Sequence, residues 1–596
     1  MARLFLLLLM MCVGLSDITA ASPCKSVPGD PGWPDSRAWA ALNASVDGSL
    51  IKNEPIAAVC YQGQSDWPYN GDACAFVTSN WHNASLQLDS PIGYQYPRDL
   101  PCPPPLDGVN VADEQCSLGD SPIYTINATK HSHVTLGIRF ARERNIRLVI
   151  RNSGHDLLAR SNGFGSLQIW MRYLRTGIDY ANAFEPSTPE TCDAIAASDW
   201  NGPSIRIGGG YDWGEVYSMV SDLNIIVVGG STPTVGCMGW LQGGGHSLVS
   251  HDYGLGADQL LEAEVILANS SLVTVNACSH PDLFRSIRGG GPAYGVVVSG
   301  TWKAYPTQNV TSYSMTFSAE TLNDTEAFYS VLEAVYEQSV HILDSGLTGY
   351  GVWSVSGQLT GSSSGMPAYT HYLMGLRTSQ EEVQKILAPL TTRIKSTKGL
   401  TFESGLSEYP SYAAAQAGSF TFSAQPAGNL IAFGSRLLDK KALTGDPSAL
   451  RATIKTLAGD ANQGTVNSLL FVGGGKVLED DKGTAVLRAW RSTYVHALVQ
   501  RMWDPTTPRE EVDSIQQDIT NVKVAALKKL APDTGAYMNE ADRFDPEWQA
   551  DFYGGDNYAR LQKVKDVYDP EGIFYCPTCV GAPRWEINEA GALCPT

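Results

Sequence analysis

Positive charge is scarce in this chain. Its 596 residues carry 42 Lys and Arg against 61 Asp and Glu, a formal net charge of −19. A general nucleic-acid binder needs a basic face to displace counterions from phosphates, so this balance argues against that class. Long apolar runs are missing too. The one candidate is the opening "MARLFLLLLMMCVGLSDITAASP". There Arg3, a short apolar stretch and closing small residues follow the order of a secretory signal peptide, residues 1–21. It is too short to span a bilayer comfortably, and no second run appears, so no membrane association is expected after cleavage. No strand–GxGxxG–helix unit of a Rossmann site occurs, and "FVGGGKV" around Lys476 lacks the spacing of a nucleotide P-loop. His246, His251 and Asp252 in "GHSLVSHD" do not put two rings on one helical face as HExxH does, and no metal site is expected. No repeat of 20–50 residues stands out.

What is present fits an exported globular protein. The chain is 43% apolar and 17% charged. Six Asn-x-Ser/Thr sequons, at Asn43, Asn83, Asn127, Asn269, Asn309 and Asn323, suit surface glycosylation. Of twelve cysteines, Cys12 leaves with the signal and eleven remain. In an oxidising compartment most should pair, and an odd number leaves a free thiol, with Cys237 and Cys278 the candidates. Cys24, Cys60, Cys74, Cys102 and Cys116 crowd the first part of the mature chain. "CPTC", Cys576 to Cys579, has neither a second zinc-type pair nor a thioredoxin context, and reads as a structural disulfide.

Periodicity divides the chain. Residues 22–116, rich in Pro, Cys, Trp and Asn, read as an irregular, cross-linked extension. Beyond them "SHVTLGIRFARERN" has Val134, Ile138, Phe140 and Ala141 at helical spacing, and "IRLVIR" alternates as a strand. "PSIRIGGG" predicts a strand into a glycine turn, "WGEVYSMVSDLN" a helix, "IIVVGG" a buried strand, and "LLEAEVILANSSLVTVNA" a hairpin. Strand and helix alternate, which is an α+β layer that holds something at its loops. From residue 308 amphipathic helices and alternating strands such as "YGVWSVSGQL" and "GNLIAFGSRLL" predict a second domain. Tyr350, Trp353, Tyr369 and Tyr372 there read as core, with a sugar platform as the alternative.

Glycine clusters at 208–210, 243–245 and 289–291 let main-chain amides approach an anion and imply a phosphate-bearing cofactor. In "RNSGHDLLARSNGFGSL" a single histidine, His155, sits in a loop of glycine and small polar residues, as though something large comes close.

The runs "RNSGHD..ARS.GFGSLQIWM", "PTVGCMGWLQGGGHS..SHDYGLGADQLLEAEVILA", "DLFRSIRGGGPAYGVVVSGTWKAYP" and "FYGGDNYARLQKVKDVYDPEGIF" resemble the FAD-linked oxidases of the vanillyl-alcohol oxidase superfamily, in its berberine-bridge-enzyme-like branch. The resemblance implies a two-lobed α+β flavoprotein. A PCMH-type FAD-binding domain of two α+β subdomains would take residues 117–307. A substrate domain with a helix-covered antiparallel sheet would take residues 308–535, and a closing segment, 536–596, would return to the FAD domain. It implies FAD, attached once through His155, because Thr232 stands where many relatives carry a second, cysteine link. It also has histidine where this chain has Trp240.

By motif match, the implied FAD contacts are Ser153, Gly154, Ser161, Gly230, Thr232, Val235, Gly236, Gly239, Gly243, Gly244, Asp258, Val265, Gly295 and Asn557. Val235, small and beside the flavin in the family, implies oxygen access and hence an oxidase that releases hydrogen peroxide. The implied reaction is hydride transfer from a CH–OH carbon of a small molecule, a carbohydrate or a phenolic or secondary metabolite. "AYMNEADRFD" matches the family's Tyr-x-Asn-Tyr motif at Tyr537 and Asn539, with Glu540 replacing the second tyrosine. Tyr537 is the expected base or substrate orienter, and Glu540 the alternative base. A dehydrogenase with another electron acceptor, and a catalytically decayed flavin-binding glycoprotein, stay open beside the oxidase.

Overall fold

Two lobes follow from a change in how the strands are buried. In the computed structural model, residues 24–62, 67–106, 109, 111, 115–187, 200–357, 365–418, 426–479 and 483–596 are described. The segment expected to be a signal peptide, residues 1–21, lies outside them. A first sheet has the order β1–β2–β4–β3, from β1 (Leu50–Lys52), β2 (Tyr124–Asn127), β3 (Leu148–Arg151) and β4 (Leu167–Trp170). β2, β4 and β3 run parallel, and β1 is antiparallel to β2. Parallel strands need both faces covered. The helix His131–Glu143 covers this sheet with Val134, Ile138 and Ala141, each at 0% exposure, while Phe140 is half-buried at its margin. Fully burying such an apolar side chain contributes about 1.5–3 kcal/mol.

The second sheet is antiparallel, β5–β6–β10–β8–β9, from β5 (Ile178–Ala181), β6 (Ser204–Gly208), β8 (Leu260–Ile266), β9 (Leu272–Asn276) and β10 (Val296–Lys303). β8 and β9 form the expected hairpin. The helix Trp213–Val220 begins at a reciprocal cap in which Asp212 accepts from the Glu215 amide and Glu215 accepts from the Asp212 amide. The predicted strand "IIVVGG" is corrected. Only β7 (Ile225–Ile226) pairs, with β11 (Tyr305–Pro306), because Val227 and Val228 turn into side-chain packing instead of a ladder.

The second lobe is one antiparallel sheet of order β15–β12–β14–β13–β17–β18–β16. Its strands are β12 (Val310–Ala319), β13 (Leu347–Ser354), β14 (Ala368–Leu376), β15 (Leu400–Tyr409), β16 (Leu430–Asp439), β17 (Val466–Phe471) and β18 (Thr493–Trp503). The helices Thr325–Asp344, Gln380–Ser396 and Pro447–Ala458 cover one face. The alternation of side chains sorts the aromatics. Trp353 and Tyr369 join the core under the helices, whereas Tyr372 and Tyr350 point to the other face, toward the first lobe. Register lines up Tyr372, Tyr350, Leu470, His496 and Leu437 as one row across β14, β13, β17, β18 and β16. That row is the wall the second lobe presents to the site.

The amino-terminal segment is more ordered than its composition predicts. It supplies β1 to the first sheet and the helices Ser36–Ser45 and Gly71–Asn80. Disulfides Cys60–Cys74 and Cys102–Cys116 staple it, and Cys24–Cys594 ties it to the carboxyl terminus. Cys576 and Cys579 pair with each other. Of the two candidate free thiols, Cys278 is disulfide-bonded and Cys237 is free and buried.

Candidate active site

Three chain segments, far apart in sequence, converge at one end of the first sheet. The first is the loop after β3. Arg151, with 0% exposure, donates to the carbonyls of Ser90, Gly93 and Ser153 and lies over the rings of Tyr94 and Trp170. Gly154 has φ +86°, and a Cβ there would come within 2.5 Å of that guanidinium, so only glycine lets the chain turn here. Asp156 closes the loop by accepting from the Ser161 amide and hydroxyl, both at 2.7 Å. The turn presents His155. Its Nε2 is buried and has no hydrogen-bond partner. Burial pushes the imidazole down to about 4, against the charges of Glu540 and Asp156, so it is neutral. Tyr96, from the amino-terminal segment, stands edge-on to it at 6.3 Å.

The second segment is the run from residue 230 to 246. The Ser153 hydroxyl accepts from the Gly236 amide at 3.1 Å, joining the first two segments. A Cβ at residue 239 would meet nothing within 4 Å, so the backbone there borders open space. Trp240 is structural. Its indole donates to the His246 carbonyl at 3.2 Å, and its ring fills the space beside Gly245 and Gly256.

The third segment is the turn 537–540. Arg160 holds it through Asn539 Oδ1 at 2.9 Å and the Met538 carbonyl. Asn539 Nδ2 donates to the Tyr537 hydroxyl at 3.0 Å and to the Gly239 carbonyl at 3.2 Å. Burial and then the Glu540 charge push the Tyr537 phenol well above its ordinary value, which keeps the hydroxyl protonated. Glu540 lies between two imidazoles. His496 Nε2 is 3.0 Å from one carboxylate oxygen, and His246 Nε2 is 3.3 and 3.4 Å from the two. Burial alone would raise Glu540, but His246 and then His496 outweigh it and hold the carboxyl below the usual range. Burial pushes His496 down, against Glu540. On its far side His246 Nδ1 is 3.5 Å from the Tyr350 hydroxyl, which meets the Ser231 hydroxyl at 2.8 Å.

The structure thus gathers His155, Ser153, Gly154, Ser161, Gly236, Gly239, Gly243, Tyr537, Asn539 and Glu540. Gly230 accepts from the Tyr217 hydroxyl, and the loop through Thr232 and Val235 borders the same region half-buried, with the Thr232 carbonyl accepting from the Val235 amide. Gly244 accepts from the Ala257 amide. The remaining expected contacts have their partners elsewhere. Asp258 is gripped by Arg491 at 2.7 and 2.9 Å, Val265 packs inside β8 against Gly295, and Asn557 engages Arg285, Ala485 and Tyr553. His251 faces Asp252 and does not join His246.

Sequence reasoning missed His496 and Tyr96 as site residues, and it weighed Tyr350 only as core or a sugar platform and His246 only as a metal ligand beside the wrong neighbours. Donor atoms of His246, His496 and Glu540 all lie within 4.8 Å of one another, a spacing that also suits a transition-metal ion. As built, their mutual hydrogen bonds satisfy the atoms that face one another. The neighbouring loop set around His155 and Gly239, a different group of residues, fits a flavin dinucleotide. It offers a neutral imidazole with an unpartnered ring nitrogen, open backbone at residue 239 and glycine-lined loops on both sides.

Comparison with known proteins agrees with this geometry. A family model described as "FAD binding domain" matches residues 122–276, and one described as "Berberine and berberine like" matches residues 536–581. The FAD-linked oxidoreductase hmp9 of Hypomyces subiculosus is 36% identical over 589 residues, 97% of this chain and 91% of that protein. The crystal structure of the VAO-type flavoprotein MtVAO713 from Myceliophthora thermophila C1 superimposes with a TM-score of 0.90 at 36% identity, covering 96% of this chain and all of that one. Glucooligosaccharide oxidase from Acremonium strictum, a protein with a 6-S-cysteinyl, 8α-N1-histidyl FAD, shares the fold. Its TM-score is 0.60 at 19% identity, over 78% of this chain and 92% of that one.

Proposed function

The chain belongs to the FAD-linked oxidoreductases of the vanillyl-alcohol oxidase and berberine-bridge-enzyme-like family, and from that premise we propose that it is a secreted oxidase of alcohol-type CH–OH groups, with its flavin tethered once through His155. An FAD-dependent oxidoreductase acts on a small molecule. The finer reading rests above all on one observation, the buried, neutral, unpartnered Nε2 of His155 at the tip of a loop that nothing but glycine could shape. A neutral imidazole is the form that can bond to carbon.

When bound, FAD supplies the hydride acceptor. The chain's own residues do the rest. Gly239, Gly243 and the loop 230–236 border the space it would take, and Tyr537 and Asn539, fixed by Arg160, orient a substrate hydroxyl. A second tether has no support. Position 232 is threonine, and the Cys237 thiol is fully buried and pushed well up by that burial. Val235, half-buried at the same loop, supports access of oxygen. The disulfides, including the one that joins Cys24 to Cys594, support an oxidising compartment, and no helix among the described residues is long and apolar enough to cross a membrane.

The test is acid precipitation of the purified protein, followed by mapping of the flavin-bearing peptide. A yellow pellet with FAD on the His155 peptide alone is expected, and His155→Ala should leave the pellet white. A colourless wild-type pellet would refute the tether. Photoreduction followed by mixing with air separates oxidase from dehydrogenase. Fast reoxidation supports the oxidase reading, and sluggish reoxidation removes it.

A further inference from the structure

Oxidation of an alcohol releases a hydride and a proton, and the proton needs an acceptor within hydrogen-bond reach. The inference drawn here rests on the oxidase reading above and names that acceptor. Tyr537 is poorly suited. Its hydroxyl oxygen already receives the Asn539 amide, and no hydrogen bond among the described residues joins it to an imidazole or carboxylate that could take its own proton, as His246 does for Tyr350. Glu540 is committed to two imidazoles. His496 has 0% exposure and turns its only partnered nitrogen to Glu540. His155 belongs to the tether.

His246 differs from all of these. One ring nitrogen is pinned by a carboxylate, and the other faces a hydroxyl that borders the flavin-side loop. We propose that His246 is the proton acceptor, held in tautomer and orientation by Glu540, and that the Tyr350 hydroxyl hands it the substrate's proton. The arrangement follows the logic of a carboxylate–imidazole–hydroxyl triad, in which the acid fixes the ring and stabilises the imidazolium that forms. Carboxylate to Nε2 is 3.3 Å, and Nδ1 to the Tyr350 oxygen is 3.5 Å. The Tyr350 oxygen also meets Ser231 at 2.8 Å, in the loop whose next residue is Thr232. His496, from β18, is a positioning residue that keeps Glu540 charged and in place.

The step balances. As the C–H bond breaks and its electron pair leaves with hydrogen for the flavin, the O–H proton passes to the Tyr350 oxygen. The phenolic proton passes to His246 Nδ1, the C–O bond becomes C=O, and the imidazolium is neutralised by Glu540. The titratable groups facing His246 are Glu540 and Tyr537 from the turn, His496 from β18 and Tyr350 from β13. Trp490 lies over its ring at 6.3 Å. Glu540 is in turn felt by His155 and Tyr96.

The main readout needs no substrate. The holoenzyme is reduced anaerobically by light and a deazaflavin in weak buffer with an indicator dye, and protons taken up per two electrons are counted at neutral pH. One proton accompanies the reduced flavin, and a second, held by the hydrogen-bonded Glu540–His246 pair, should bring the wild type close to two. His246→Asn should fall close to one. Glu540→Gln, which keeps the shape and removes the counter-charge, should fall as well, and it serves if the histidine variant does not fold. Tyr350→Phe should keep the wild-type number, since it only conveys the proton. With any alcohol that bleaches the flavin it should slow bleaching by roughly 10²-fold. His371→Asn, a buried histidine outside the cluster, should leave the number unchanged.

A wild-type number close to one, or a second proton that survives both His246→Asn and Glu540→Gln, would overturn the assignment. So would a stoichiometric transition metal in the purified holoenzyme, because the same donors would then be its ligands. A colourless acid pellet is a different result, since it removes the tether and leaves this cluster to be judged on its own proton uptake.

Discussion

Gly243 has no room for a side chain. A Cβ there would lie 2.2 Å from Asn539 Nδ2, and that amide is what couples Tyr537 to the Gly239 carbonyl. Gly243→Ala should therefore displace Asn539 and leave the Tyr537 hydroxyl without its donor. The expected outcome is flavin reduction slowed by about tenfold or more, since misplaced positioning groups cost that order. Flavin content and unfolding midpoint should stay close to wild type. Stopped-flow bleaching and the acid-pellet assay measure the two separately. At the same scale, Tyr537→Phe keeps the ring against His246 and removes only the hydroxyl. If orienting is its role, KM should rise more than kcat falls.

Among the elements, the seven-stranded sheet carries a titration that the active site does not need. His371, on β14, has 0% exposure, and its Nδ1 meets the Tyr369 hydroxyl. Burial pushes its imidazole down to about 3, whereas an unfolded chain protonates histidine near 6.5. The folded value is depressed, so between those limits the unfolded state binds the extra proton. Stability is complete above about pH 6.5 and is lost as pH falls toward 3, at about 1.4 kcal/mol per pH unit from this one residue. His371→Asn should make the fall in Tm on acidification shallower, whatever its effect at neutral pH. Scanning calorimetry across pH 4 to 7 checks it, and equal slopes would remove the argument.

At the scale of the whole molecule, the chain is closed on itself. Cys24–Cys594 spans 570 residues, and the Lys25 amide donates to the Leu593 carbonyl beside it at 2.7 Å. The amino-terminal segment then runs to the His155 loop, where Arg151 and Tyr94 engage it, and on to the second lobe, where Gln95 Nε2 donates to the Pro426 carbonyl. It therefore ties both lobes across the site. A Cys24→Ser, Cys594→Ser double variant should lose about 2–5 kcal/mol of stability. The loss would appear as a lower denaturant midpoint, while the flavin should remain attached to the folded protein. A midpoint unchanged from wild type would show the closure to be energetically idle.

Local information was enough for the first lobe and its cofactor. The helix around Val134 and Ile138, the hairpin of β8 and β9, and the glycine runs are each written within a few residues, because helix and strand periods and turn chemistry act at short range. His155 was legible for the same reason, since its loop is contiguous. The Tyr537–Glu540 turn was legible as a motif. Its chemistry was not, because Glu540 takes its meaning from His246 and His496, which lie 294 and 44 residues away. His496 looks in sequence like any inward residue of a strand. Only the register of β18 against β17, and of β17 against β13, sets it in one row with Tyr350, and only lobe-on-lobe packing brings that row to the carboxylate. Strand register and packing between lobes are settled by long-range burial, which pairs residues irrespective of their distance along the chain. The proposed proton-handling side of the site was therefore decided by the tertiary structure, and the proposed cofactor-holding side by the sequence itself.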